Sequence, residues 1–292
     1  MTSIGTVGGL FRYPVKSMQG EALTKVTVGD RGVPGDRAYA LIDAVDGKVA
    51  SAKHPRKWGQ LLDATARFAA DPVDGAPAPP VVIDLPDGTT TRSDAADVDE
   101  TLSAFAGRPV HLASVAPDDR RFEEVWPDVD GIAPAEFIAS TSGAEREDGL
   151  PVSDLQLGMA APPGTFFDLA VLHLITTSTL AALGGADVRR YRPNVLVDVG
   201  DAASYPENEW VGRDVRLGAD AAAQAFLVTM RCVMTTLPQP GLERDPSLLR
   251  TLARDNRVEI PGMGWWACAG VYANVAAPGT ITVGDAVALA GA

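Results

Sequence analysis

Apolar and polar residues alternate in short runs along the amino-terminal part of the chain, and glycine, proline and aspartate separate these runs. The runs LTKVTV, RAYALID, KVASA and LDATARF therefore predict short β-strands. The turn AVDG between two of them is typical of a hairpin. Pro55 marks the start of a short helix, and VDETLSAFAG predicts a second helix that ends near Gly107 and precedes a strand.

The carboxy-terminal half has the same texture, with few helical segments. Strands are predicted at LAVLHLI, NVLVD, DVRLGA, AFLVTM, AGVYANV and ITVGDAVALA. The letters TTST indicate a capped helix start, Gly184 and Gly185 its end, and PSLLRTLARDN a further helix. Many short strands with few helices favour a barrel, so the predicted fold class is α+β and β-rich.

The segment from 119 to 163 is rich in Asp, Glu, Pro and Gly and has little periodicity. This composition predicts a linker and a long surface excursion. A lid over a functional site has the same composition, and the pattern leaves both interpretations open.

Charge and composition limit the class of protein. The 25 basic and 38 acidic residues give a formal net charge of −13, and no block rich in Lys and Arg occurs, so we expect no nucleic-acid partner. The amino terminus lacks the pattern of a signal peptide, and no apolar stretch reaches about 18 residues. We therefore predict a cytoplasmic protein without a membrane span.

Cys232, one of two cysteines, follows Arg231 in the run VTMRCVMTT. A guanidinium neighbour stabilises the reactive, metal-binding thiolate, although strand geometry points adjacent side chains to opposite faces. A small buried hydrophobic residue is the alternative interpretation of Cys232. We assign Cys268, in WWACAG, to that second class outright.

Two further segments carry groups that suit an anion. Lys16 and Ser17 lie in a proline-stiffened turn, YPVKSMQG, where a solvated loop lysine is the alternative. Thr177 and Ser178 lie at a predicted helix start, whose free N–H groups accept an anion, although ordinary capping explains the same letters.

Arginines complete the candidate pocket. Arg192 and Asn194 lie in RRYRPN and Arg37 in GDRAYALID, and surface ion pairs are the alternative role for these cations. The three histidines, at positions 54, 111 and 173, have no Glu or Cys at ligand spacing and predict no metal site. We expect His173, inside an apolar strand, to be a hydrogen-bonded core residue. Together the residues indicate an anion-binding pocket with one thiolate.

Four motifs in order resemble a known family. YPVKSMQG is similar to the opening motif of the MOSC amino-terminal β-barrel domain. RYRPN, RCVMTT and PGTITVGDAVAL resemble the MOSC domain of molybdenum-cofactor sulfurase carboxy-termini and of the mitochondrial amidoxime-reducing component. The resemblance implies an amino-terminal β-barrel domain over residues 1–118 and a MOSC β-barrel with a few short helices over residues 119–292.

The amidoxime-reducing branch implies a function and a site. By this resemblance the protein is a molybdenum-dependent oxidoreductase that binds the molybdenum–molybdopterin cofactor and reduces N-hydroxylated compounds, hydroxylamines and amidoximes. Cys232 matches the catalytic residue that ligates the metal. The positions that match cofactor-binding residues are Lys16, Ser17, Arg37, Thr177, Ser178, Arg192, Asn194 and Arg231. The family often has Cys or a polar residue where this chain has Met18, so we attach no chemistry to that position.

The electron source and a rival function follow from the same resemblance. The chain ends just after the last barrel strand and lacks the cysteines of an iron–sulfur cluster, so we expect electrons from a separate ferredoxin, flavodoxin or flavin reductase. The alternative is a non-catalytic protein that carries the molybdenum cofactor, or sulfur as a persulfide on Cys232.

Overall fold

The computed structural model describes residues 1–158 and 160–290 of the 292-residue chain. The strands in the first half are β1 (Thr2–Arg12), β2 (Glu21–Leu23), β3 (Lys25–Val28), β4 (Ala40–Asp43), β5 (Thr65–Phe68), β6 (Val81–Asp84), β7 (Thr90–Arg92), β8 (Val110–Ala113), β9 (Arg121–Val125) and β10 (Ser142–Glu147). Those in the second half are β11 (Leu150–Gln156), β12 (Leu172–Thr176), β13 (Val195–Asp198), β14 (Asp214–Leu217), β15 (Ala221–Met230), β16 (Arg257–Ile260), β17 (Gly264–Ala277), β18 (Gly279–Thr282) and β19 (Ala286–Leu289).

Helices are short and few. The α-helices are α1 (Pro55–Trp58), α2 (Val98–Ala106), α3 (Ala135–Thr141), α4 (Thr177–Ala182) and α5 (Ser247–Asp255). Single 3₁₀ turns occupy Gly59–Asp63, Val188–Arg190, Pro206–Trp210 and Val233–Thr236. Within the residues described, no helix combines the length and the apolar character that crossing a bilayer requires.

Seven strands form a closed barrel in the order β12-β13-β1-β19-β14-β15-β17, and β17 pairs back onto β12. The pair β12–β13 is parallel and the other neighbours are antiparallel. Side chains of alternate residues point inward, and small and branched apolar residues such as Val195, Val215 and Ala223 fill the interior. The predicted fold class, α+β and β-rich, is confirmed.

The amino-terminal strand β1 belongs to this barrel, between β13 and β19. The strand β3 likewise pairs with β18 near the carboxyl end of the chain. Much of the remaining amino-terminal region has its own core around Trp58, Leu61 and Ile83, built by α2, the sheet β5-β6-β7 and the pair β4–β8. The division at 118/119 stays a prediction, and the barrel itself draws strands from both sides of it.

Some local sequence patterns predicted the observed secondary structure and others did not. Helix α2 ends as predicted, since Gly107 adopts the left-handed conformation (φ 67°) that closes a helix. The run KVASA is not a strand: Val49 makes a single bridge to Ile42, and all four residues from Val49 to Ala52 are buried without alternation. The segment from 119 to 163 contains a folded unit, the antiparallel sheet β10-β11-β9 with helix α3.

Candidate functional site

A cleft of about 730 Å³, counting its open mouth, lies between the barrel and the amino-terminal region. Barrel strands β12 and β17 contribute His173 and Tyr272, and the end of β15 leads into Cys232. The opposite wall comes from the amino-terminal turns that carry Lys16 and Lys53. The cleft is therefore built from distant segments of the chain.

The structure brings together most of the site residues predicted from sequence. The predicted residues that line this cleft are Lys16, Ser17, Arg37, Arg192, Asn194, Arg231 and Cys232. The remaining two, Thr177 and Ser178, are not among the residues lining it. Their cofactor-binding role stays a prediction.

Lys16, Lys53 and Asp168 form a charge cluster on one wall, in which Lys16 is buried and the other two are partly exposed. The Lys16 ammonium lies 2.5 Å from Asp168 Oδ1 and 3.2 Å from the carbonyl of Phe166, whereas Lys53 lies 3.9 Å from the same carboxylate. Burial lowers the pKa of Lys16 to about 8, with Asp168 opposing and Lys53 adding to the shift. Burial raises the pKa of Asp168, but the two lysines outweigh it and hold that carboxyl well below its usual range.

Lys53 has a second carboxylate partner, Glu124 Oε2, at 3.2 Å. Burial acts to lower the pKa of Lys53, yet Asp168 and Glu124 outweigh it and raise that pKa. Both ammonium groups also lie over the ring of Phe122, with Lys53 at 4.6 Å from its centre. Lys53 is consequently a cation near neutral pH.

Arg37 and Arg192 both lie over the ring of Tyr13, with guanidinium carbons 4.8 and 4.2 Å from its centre. Arg37 also pairs with Asp36, and Arg192 donates to the carbonyl of Met18 at 2.6 Å. Burial first, then the neighbouring Arg37 charge, lowers the pKa of Arg192 to about 10, so it remains charged near neutrality.

The backbone at this wall is strained. Ser17, Arg37 and Arg192 have φ values of 65°, 47° and 54°, a region that residues with a side chain rarely adopt. Such conformations persist where surrounding structure enforces them, and they cluster at functional sites. The three strained residues all face the same cleft.

Cys232 begins a tight turn beyond the end of β15. Because the strand stops at Met230, the strict alternation expected for Arg231 and Cys232 does not hold, and both residues line the cleft. Arg190 donates to the carbonyls of Thr235 and Leu237, which fixes the turn that follows the cysteine. Burial raises the pKa of the Cys232 thiol, and the Lys53 ammonium acts against that rise.

Asn194 and His173 differ in whether their polar side-chain atoms already have hydrogen-bond partners in the fold. Asn194 accepts from the His173 amide through Oδ1 and donates to Asp36 Oδ2 at 2.9 Å, so its side chain is committed to the fold. His173 departs from expectation, because its buried Nε2 has no hydrogen-bond partner among the residues described. Burial, together with the charges of Arg231 and Arg37, lowers its pKa well below the usual value, and the imidazole is neutral.

Thr177 and Ser178 serve the start of α4. Ser178 donates to the carbonyls of Ala202 and Ala203, and Thr177 donates to Asp198 and accepts from the amide of Val199. The helix cap itself is the preceding residue, Thr176, whose Oγ1 accepts from the amide of Thr179, so the capping interpretation of TTST holds at Thr176. The hydroxyls of Thr177 and Ser178 instead tie the start of α4 to the segment that follows β13.

Sequence reasoning missed Lys53, Asp168, Tyr13 and Tyr272. Asp168 carried a usable signal, since it interrupts the apolar run FFDLA, and a carboxylate held inside apolar surroundings needs a charged partner. Lys53 and the two tyrosines have no comparable local signature.

Comparisons with known proteins give the family. The sequence matches the MOSC N-terminal beta barrel domain over residues 4–73 and the MOSC domain over residues 171–288. A search of curated proteins gave no match. Among solved structures, the YUAD protein from Bacillus subtilis aligns with 11% sequence identity and a TM-score of 0.43, covering 99% of this chain and 96% of that chain. MOSC domains are linked to molybdenum-cofactor sulfurase-like proteins. Since the two matches lie in order and span more than half of the sequence, the chain belongs to the MOSC family.

Proposed function

We propose that this protein is a molybdenum-cofactor-dependent reductase of N-hydroxylated compounds such as hydroxylamines and amidoximes. The observation that carries the proposal is the meeting of one thiol, Cys232, with the cations Lys16, Arg37, Arg192 and Arg231 in a single cleft. The protein as a whole carries a formal charge of −13, so this concentration of positive charge is a local feature. It fits a ligand with an anionic end and a metal that prefers sulfur.

The residues present fit such a cofactor in chemistry. A thiolate is the ligand that a soft metal selects, and arginine and lysine side chains suit a phosphate group. Two buried nitrogens of the cleft residues, His173 Nε2 and Arg231 Nε, have no hydrogen-bond partner in the described part of the chain. Buried polar atoms normally have partners, and a bound polar ligand provides them.

Each side chain then has a distinct role. Cys232 would hold the metal, Lys16, Ser17, Arg37, Arg192 and Arg231 would hold the pterin and its phosphate, and Asn194 would fix the strand beside them. When bound, the cofactor supplies the two-electron chemistry that removes oxygen from an N–OH group and releases it as water.

The electron donor is proposed to be a separate protein. The chain has two cysteines, Cys232 and Cys268, whereas a cluster of the ferredoxin type needs four cysteine ligands. Cys268 is fully buried in the barrel and is not among the residues that line the cleft. A ferredoxin, flavodoxin or flavin reductase would fit this requirement.

Metal analysis combined with a turnover assay tests the proposal. The protein is produced in a host that makes molybdenum cofactor, and benzamidoxime reduction is followed with reduced viologen as donor. We expect near-stoichiometric molybdenum and steady turnover. Molybdenum without turnover would contradict the reductase and favour the cofactor carrier, and protein without molybdenum would contradict both.

A further inference from the structure

A second polar cluster lies outside the cleft, around His54. His54 directly precedes helix α1, Glu123 lies on β9, and Glu145 and Glu147 lie on β10. The His54 side chain is 4% exposed, whereas Glu145 is half exposed and opens the cluster to solvent. The sequence predicted no metal site here, because the carboxylates come from distant parts of the chain.

The ring of His54 lacks a partner that its burial requires. Its Nε2 lies 3.7 Å from Glu123 Oε2 and 3.8 Å from Glu145 Oε1, both too far for hydrogen bonds. Within the described residues, neither ring nitrogen makes a hydrogen bond. A buried nitrogen left without a partner is unfavourable, so a missing ligand is indicated.

The three facing atoms are spaced for one ion. The ligand atoms of His54, Glu123 and Glu145 all lie within 4.8 Å of one another. An imidazole with two carboxylates is a donor set that first-row divalent metals accept. The geometry therefore places a nitrogen and two oxygens around one common point.

Glu147 lies beside Nδ1 of His54, the ring nitrogen that does not face Glu123 and Glu145. Its Oε2 lies 2.6 Å from His54 Nδ1, although the two atoms do not meet the angular geometry of a hydrogen bond. A metal-ligating histidine commonly donates its other ring N–H to a carboxylate, which fixes the ring. A small rotation of either group would complete this arrangement.

In the structure, the ammonium group of Lys57 lies between the two carboxylates that would bind a metal ion. Lys57 Nζ lies 2.6 Å from Glu123 Oε2 and 3.1 Å from Glu145 Oε1, while Lys48 binds the other oxygen of Glu123. The site thus already attracts a positive charge, but Lys57 leaves the histidine nitrogen unsatisfied. Its long side chain is 23% exposed and can move into solvent.

We propose that His54, Glu123 and Glu145 bind a divalent first-row transition metal, with Glu147 orienting the imidazole and Lys57 displaced. This site is distinct from the molybdenum site proposed above and does not depend on it. The neighbouring Lys53 lines the cleft and pairs with Glu124, whereas His54 and Glu123 are not among the residues lining it. A metal would therefore clamp the segment that carries Lys53 against β9.

Calorimetric titration with Zn²⁺ tests the site. The full chain is used with Cys232→Ser as background, so that the cleft thiol does not compete for zinc. We expect one site whose affinity falls by more than about a hundredfold in Glu145→Gln and in His54→Gln, because the loss of a direct ligand costs more than the roughly tenfold to hundredfold loss typical of an outer-shell partner. Lys57→Met should raise the affinity, because the competing ammonium is gone. Asp148→Asn, an exposed neighbour on the same hairpin, is the matched control and should leave the affinity unchanged.

Thermal unfolding supplies a second readout. Zn²⁺ should raise the Tm of the background protein and not that of Glu145→Gln, whose half-exposed side chain can change without unfolding the chain. The proposal is overturned if zinc does not bind, or if it binds equally well to Glu145→Gln and His54→Gln.

Discussion

Arg37 donates a hydrogen bond of 3.0 Å to the main-chain carbonyl of Arg192, across 155 positions of sequence. Both residues hold a positive φ, and both guanidinium groups lie over the ring of Tyr13. The bond joins the amino-terminal region to the barrel at the wall of the cleft. Two like charges are thereby held close together before any anion arrives, which lowers the cost of ordering them around a ligand.

Tyr13 should set how well these two arginines are held. Tyr13→Leu removes the aromatic face, and we expect molybdenum content per folded protein to fall, since each cation–π contact contributes about 0.5–2 kcal/mol. Tyr13→Phe keeps the ring and should retain the metal. Metal analysis of the two purified variants measures their molybdenum content. Equal molybdenum content in both would show that the stacking has no part in cofactor binding.

Arg192 is predicted to bind the anionic end of the cofactor. Arg192→Ala removes a buried cation and the bond to the carbonyl of Met18, so molybdenum content should fall markedly. Arg189→Ala is the matched control, because the Arg189 guanidinium is 41% exposed and is paired with Asp187. If metal analysis finds the same molybdenum content in Arg192→Ala as in the wild-type protein, Arg192 has a structural role and does not bind the cofactor.

The affinity of the cleft for an anion should depend on pH through Lys16. With a pKa of about 8, Lys16 is charged below that pH and loses its charge as the pH rises through it. Sulfate keeps its own charge over this range, and we expect its affinity for the cofactor-free protein to fall about tenfold between about pH 7 and pH 9. In Lys16→Arg the charge is permanent, so the decline should vanish. Sulfate affinity is measured by calorimetry at each pH. If the affinity of the wild-type protein does not change between about pH 7 and pH 9, the charge of Lys16 does not control anion binding in this range.

Local patterns in the sequence predicted most strands, since alternation and turn residues act over a few positions. The sheet β10-β11-β9 was missed because Glu123 and Glu124 break the apolar pattern of β9. Lysines remote in sequence neutralise them: Lys48 and Lys57 bind Glu123, and Lys53 binds Glu124. Closure of the barrel by β1 was also missed, because its partner strands, β13 and β19, lie far from it in the sequence.

The candidate site was predicted where a residue type alone indicates its chemistry. Lys16, Arg37, Arg192 and Cys232 were picked as cations and a thiol, and the fold brings them together. The same logic does not separate helix capping from anion binding at Ser178, because hydroxyl groups serve both purposes. In the fold Ser178 does not cap the helix: its hydroxyl donates to the carbonyls of Ala202 and Ala203, and Thr176 is the cap.

The two cysteines offer the sharpest test of the proposed metal ligand. Cys232→Ser leaves a hydroxyl that is a poor ligand for a soft metal, so turnover should be lost and molybdenum content reduced, with the Tm nearly unchanged. Cys268→Ala is the matched control. Its sulfur is fully buried and contacts the carbonyl of Trp266, so this variant should lose some stability and keep its metal and activity. Reduction of benzamidoxime, metal analysis and thermal unfolding are measured on both variants. Full activity in Cys232→Ser would exclude the thiol as the metal ligand, and the cleft would then be an anion site whose cysteine merely lines it.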